Sequence, residues 1–187
     1  MALQSEEVRV AITGEAFVAP TATASPTTAV TPLDAAFTGL GYVNSDGVVE
    51  AYEESTSDIV AWQNGAIVRK IISQSEARLT LTLIQTNKDV LELYHKGSLV
   101  VSDGATGARL DVLSPSPDPR SFVFDVIDND RHIRIYVERG EVMERGEITY
   151  ATEDAISYNV MITCYPVDDG AGNSVVLTKF SDDPAWL

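Results

Sequence analysis

Residues 57–87, SDIVAWQNGAIVRKIISQSEARLTLTLIQTN, decide how this chain is read, because a turn-bearing apolar segment runs straight into the clearest strand in the sequence. From 77 to 84 the order is ARLTLTLI: Ala77, Leu79, Leu81 and Leu83 point one way, and Arg78, Thr80 and Thr82 the other. A period of two marks a strand with one face in a core. Upstream, Asn64-Gly65 favours positive φ and predicts a tight reversal between two β-prone arms. Trp62, Ile67, Val68, Ile71 and Ile72 give those arms more apolar surface than a solvent loop needs. Two readings are open: a hairpin inside the core, or a projecting arm that hides its apolar side chains on a neighbouring subunit.

The rest of the chain sets the limits. Its 187 residues, 44% of them hydrophobic, suffice for one domain with its own core, so residues 1–187 are read as a single unit. No apolar run approaches the ~20 residues of a membrane span. The start, MALQSEE, lacks the basic and apolar regions of a signal peptide, which predicts a protein made in a cytoplasm. Cys164 is the one cysteine and lies in an apolar strand, so a buried inert thiol is expected. His95 and His132 lack a second histidine at ligand spacing, and no metal or cofactor motif is found. Twenty-eight acidic against thirteen basic residues give a net charge of −15, which repels phosphate and argues against a conventional nucleic-acid binder. Taken alone, that acidity asks for nothing beyond solubility. A conduit through which DNA slides without sticking would use the same repulsion.

In chain order, alternation predicts an opening strand over 7–19 that ends at Pro20. A Pro- and Thr-rich connector over 21–38 follows, expected to be extended and without packing of its own, with a short turn in 34–37. Residues 44–47, NSDG, suggest a small hairpin between 41–43 and 48–52, and EESTSD at 53–58 suggests its end. A helix is expected over 88–95, capped by Thr86-Asn87 and stopped by Gly97, with Val90, Leu91 and Tyr94 as its apolar stripe. Two short strands around Asp103-Gly104 lead to SPSPDP at 114–119. Strands at 121–127 and 131–137 face each other across 128–130, and 139–146 reads as a charged link. Further strands are expected at 147–152, 155–166, where Tyr158, Val160, Ile162 and Cys164 share a face, and 174–180 after a turn at 168–173. The tail, 181–187, reads as exposed or as an interface clasp.

Many strands, close turn signals and one helix point to a mainly β fold, a β-sandwich or partly closed barrel with one short flanking helix and a long projecting hairpin arm. DIVAWQNGAIVR at 58–69, preceded by GLGYVNSDGVV at 39–49 within a match running over 39–97 and followed by the Leu/Thr strand and NKDVLELY at 87–94, resembles the major tail tube protein of long-tailed (siphovirus-type) bacteriophages. The resemblance implies six copies closed into a ring through their sheets, and rings stacked so that residues 42–72 form an arm reaching the next ring. On that reading Tyr42, Val43, Ile59, Trp62, Asn64, Gly65, Ile67, Val68, Ile71 and Ile72 form a subunit interface. It further implies a virion component assembled in the bacterial cytoplasm. The tape measure protein and DNA would occupy the lumen without sequence-specific binding, tail terminator and tail tip proteins would sit at the ends, and no membrane or cofactor would be involved.

One face of each strand can join the core, so polar residues on otherwise apolar strands, Asp125, Glu138, Glu147 and Asn159, are candidates for lining an acidic bore. Two other classes compete. An enzyme would draw on close carboxylates such as Asp125, Asp128 and Asp130, but Asp in turns has a backbone explanation. A monomeric immunoglobulin-like or carbohydrate-binding module would share the strand pattern and leave the Asn64-Gly65 arm as a simple hairpin.

Overall fold

The computed structural model describes residues 7–102, 104 and 106–186. Its elements are β1 (Thr13–Pro20), β2 (Thr38–Gly39), β3 (Val43–Val60), β4 (Ile67–Leu83), α1 (Lys88–Tyr94), β5 (Val100–Ser102) and β6 (Ala108–Leu110), followed by β7 (Arg120–Asp128), β8 (Arg131–Arg145), β9 (Tyr158–Cys164), β10 (Val167–Asp168), β11 (Ser174–Val175) and β12 (Thr178–Ser181). The fold is mainly β with one α-helix among the described residues. The principal sheet is antiparallel in the order β2-β1-β7-β8-β9-β4-β3, and β12 adds to β8. Its ends approach each other without pairing into a closed barrel: Leu40, fully buried, donates from its N–H to Ala16 O at 2.8 Å, and Ile84 N donates to Tyr42 O at 3.0 Å.

The curl surrounds one core, consistent with a β-sandwich. Leu79, Leu81 and Leu83 of β4 meet Val160 and Ile162 of β9, Phe122 and Phe124 of β7, Val137 and Val142 of β8, and Ala16 and Val18 of β1. The period-two reading of residues 77–83 and of Tyr158, Val160, Ile162 and Cys164 therefore holds side chain by side chain. β8 spans the corner, pairing with β7 and β12 through its first half and with β9 through its second. At that corner is Gly140, where a Cβ would lie 2.9 Å from Ile162 Cγ2 and 3.1 Å from the Phe122 ring, so no larger residue fits without displacing the core.

The helix closes the open side. Asn87 caps it, its Oδ1 accepting from Val90 N at 2.9 Å. Its stripe differs from the expected one by one residue: Val90, Leu93 and Tyr94 are buried and Leu91 only partly so. The Tyr94 ring meets Tyr158 edge-on at 5.5 Å, and its hydroxyl donates to Gly146 O.

Several expectations are corrected. Residues 7–12 are not a strand: Ile12 N still reaches Ile127 O, but β7 ends at Asp128 and no partner backbone remains. NSDG at 44–47 makes no hairpin, since Val43 pairs with Leu83 and Val48 with Leu81, and the four residues bulge out of one continuous strand. Gly47, at φ +67°, serves that bulge. Residues 53–58 do not end the strand but extend it, and 139–145 form the second half of β8 rather than a link. Residues 147–152 hold no strand, and 174–180 divides into β11 and the start of β12. The connector does pack: Pro26 and Ala29 are buried. The turn at 34–37, the helix, β5 and β6, the hairpin of β7 and β8 and the turn at 168–173 lie where the sequence put them, while Asp103 falls outside the described residues.

Core depth along the helix sets a measurable contrast. Leu93→Ala should cost roughly 2–5 kcal/mol, and Leu91→Ala about 1 kcal/mol, in chemical denaturation of the monomer.

Candidate assembly surfaces

β4 pairs with β9 only from Ala77 to Leu83, so its outer ten residues, with the matching part of β3, leave the sheet as a two-stranded ribbon. The reversal at its tip follows from Asn64 and Gly65, whose φ values of +61° and +63° give the strands a twist-matched turn closed by Ala61 N donating to Ala66 O at 2.8 Å. From Ala77 to Gly65 the ribbon reaches roughly 35–40 Å at about 3.3 Å per residue.

Neither side of the ribbon is covered. Trp62 is 97% exposed, Val68 62%, Ile72 57% and Ile67 56%, with Ile59 and Ile71 above 40%. Salt bridges stiffen its stem: Lys70 Nζ lies 2.8 Å from Asp58 Oδ1, and Arg78 bridges Glu53 at 2.9 Å and Glu76 at 3.0 Å. Tyr42 and Val43 lie outside the ribbon, at the opposite end of the β3–β4 hairpin beside Leu83: Tyr42 is exposed and its N–H donates to Gln85 Oε1 at 3.2 Å, while Val43 packs against the core. At the ribbon's base, beside Glu76 and Arg78, a groove of about 510 Å³ runs between the ribbon and β9, with Met143, Glu144, Met161 and Tyr165 on its other walls.

The four bore candidates do not share one place. Asp125 faces Arg134 across the hairpin, held bidentately at 2.6 and 2.8 Å. Arg134 Nη1 also donates to Thr31 O at 2.6 Å and Thr28 O at 3.1 Å, which pins the connector over that face. Glu138 and Glu147 are exposed. Asn159 Nδ2 donates to Thr82 Oγ1 at 2.9 Å, and Asn159 O accepts from Gly146 N at 2.9 Å, so Asn159 and Glu147 are neighbours while the other two are not. Counting from the hairpin's two-residue loop, Asn129-Asp130, would have found the Asp125–Arg134 pair, since residue 128 opposite 131 puts 125 opposite 134.

The tail is clasped within the chain. Asp182 accepts from His132 N at 2.7 Å and lies 2.8 Å from its Nδ1, and buried Asp183 is ion-paired with Arg9. Cys164 is buried, and burial pushes its thiol up to about 12, far from a reactive thiolate. Lys96 and Glu141, both largely buried, pair at 2.8 Å and tie the end of α1 to β8. Burial alone would raise the Glu141 carboxyl, but the hydrogen bonds from Lys96 Nζ and Asp118 N outweigh it and leave it below the ordinary value of 4.5.

Surface for protein–protein contact is what this geometry offers, the equipment of an assembling structural protein. The family described as phage tail tube protein matches residues 1–183, and the chain belongs to it; it is a structural component of the phage tail. No curated protein matches the chain. Among solved structures, a chain in the cryo-EM structure of the anti-feeding prophage (AFP) baseplate, 6-fold symmetrised, aligns over 96% of this chain and 97% of its own, at 8% identity and a TM-score of 0.38.

Because its folded pKa is lowered, Glu141 contributes stability that is present above about 4.5 and lost as pH falls through that value toward its folded pKa. Glu141→Gln should therefore be less stable than wild type at pH 7, and the difference should shrink between pH 5 and pH 3 (roughly the range over which such a carboxylate protonates), as followed by thermal melting.

Proposed function

We propose that six copies of this chain close into a ring, and that rings stack into the tube of a long, siphovirus-type tail, with the ribbon of β3 and β4 as the arm that reaches the next ring. The observation that carries this reading is the ribbon itself. A two-stranded hairpin is marginal in water by itself, yet this one extends well past its sheet and carries Trp62, Ile67, Val68, Ile71 and Ile72 in solvent. Burying such side chains is worth about 1.5–3 kcal/mol each, enough to drive self-association. A monomeric module would have no use for that surface. In the assembled tail the tape measure protein and then DNA occupy the lumen, and terminator and tip proteins meet the ends; subunits are drawn from the host cytoplasm.

The bore in this reading is acidic and passive. The net charge of −15 per chain, repeated around a ring, keeps phosphate off the wall. Glu138 and Glu147 are exposed and can contribute, with Asn159 beside Glu147; Asp125 is neutralised by Arg134 under the connector.

Electron microscopy of the purified protein tests this directly: hollow filaments or stacked rings are expected, and a monomer at every concentration would refute the reading. Trp62→Asp should leave circular dichroism and the melting transition of the monomer unchanged while abolishing filaments, since Trp62 touches no core residue. Like-charged subunits repel, so polymerisation followed by light scattering should strengthen as salt rises to about 0.15 M, where the screening length falls to about 8 Å.

A further inference from the structure

The register of the ribbon separates its side chains into two faces. β3 runs without interruption from Val48 to Val60, while β4 carries Ser73 and Val68 as extra residues at its irregularities. Residues directly paired across antiparallel strands lie on the same face. One face, continuous with Ala77 and the core, carries the pairs Thr56–Ile72, Asp58–Lys70 and Val60–Ile67. The opposite face carries Ser57–Ile71 and Ile59–Arg69. Both are apolar: Ile72, Ile67 and Val60 are exposed on the first, Ile71 and Ile59 on the second. A ribbon that lay on a single surface would need one apolar face, and its other face would be polar, as in any half-buried antiparallel pair. Two apolar faces call for two covering surfaces.

Charge indicates what covers them. Among the described residues, Arg69 is the only Lys or Arg without an ion pair, hydrogen bond or ring contact. It projects from the second face of a ribbon on a chain of net charge −15, so another copy of the same chain offers the acidic complement, for example Glu144, which holds no ion pair among the described residues. We propose that the ribbon is a wedge seated between two other copies of this chain. Its Ile59, Arg69 and Ile71 face rests on one copy, and its Val60, Ile67 and Ile72 face rests on the other. This deepens the stacked-ring reading and rests on it: each arm bridges two subunits of the neighbouring ring instead of extending a single one, and thereby fixes the rotation between rings as well as their contact.

Thiol protection tests the wedge, because the native Cys164 is buried and should add little background to the labelling of an exposed cysteine. Ile71→Cys and Ile72→Cys sample the two faces with little change in bulk. In monomers both should react at similar rates; in filaments the wedge slows both by at least about tenfold, the factor that corresponds to burying one such side chain at a stable contact. A variant that keeps the monomer's circular dichroism but no longer assembles counts as a face in contact. If one position stays as reactive in filaments as in monomers, the wedge is overturned and a one-faced arm remains. If both stay reactive in filaments, the arm itself is not the stacking element. If the wild-type chain forms no filament, the stacked-ring reading fails, and the wedge with it.

Discussion

Everything else in this fold depends on a mismatch of strand lengths. β4 has seventeen residues and its inner neighbour β9 has seven. Where the two run together, β4 has hydrogen-bonded partners on both edges and Leu79, Leu81 and Leu83 drive its inner face into the core. Past Ala77 that support ends on one edge, and the same strand becomes half of a ribbon with solvent on both sides. The core is thus made from the inner half of a hairpin whose outer half is free to reach elsewhere. The bulge at 44–47 belongs to the same arrangement, since it lets β3 absorb three extra residues and still follow β4 along its whole length.

The parts of the fold that the sequence displays are those where local physics and tertiary packing agree. Ala77 to Leu83 alternate because one face is core; Asn64-Gly65 reads as a reversal because both residues take positive φ; Asn87 signals a helix because its side chain caps one. What stayed hidden are strands whose polar residues conceal them. EESTSD at 53–58 resembles a loop because, on a ribbon wet on both sides, no alternation is required, and its acids answer Arg78 and Lys70 on the partner strand. Residues 139–145 resemble a charged link because Glu141 is turned toward Lys96 and Glu144 toward solvent, while Val142 alone marks the core side. The projecting hairpin was legible from its excess of apolar residues and its turn. The two-faced character of that excess emerged only with the register of β3 on β4.

Charge organises the structure at two depths. At the surface it is a broad acidic excess that costs little while solvent screens it. Inside, a few pairs are placed where long-range connections need a fastener. Arg134 holds Asp125 on its own sheet and two carbonyls of the connector more than a hundred residues away, which is why a Thr- and Pro-rich segment with little apolar bulk still has a fixed path. Lys96 with Glu141 fastens the helix, and Arg9 with Asp183 brings the two ends of the described chain against the turn between β7 and β8. Arg69 is set apart from all of these by having no such partner among the described residues.

The topology also gives the subunit a clock. The hairpin of β3 and β4 joins neighbouring residues and can zip in about 1–10 μs, whereas β1 must find β7 across more than a hundred residues, Thr13 meeting Ile127, and pairings of that range mature over milliseconds to seconds. The ribbon, marginal by itself, can therefore zip and reopen, with its isoleucines in water, before the body that anchors it is complete. During that interval Glu53, Glu54, Asp58 and Glu76 along its stem act as gatekeepers, mutual repulsion between nascent chains holding apart strands that would otherwise zip edge to edge into aggregate.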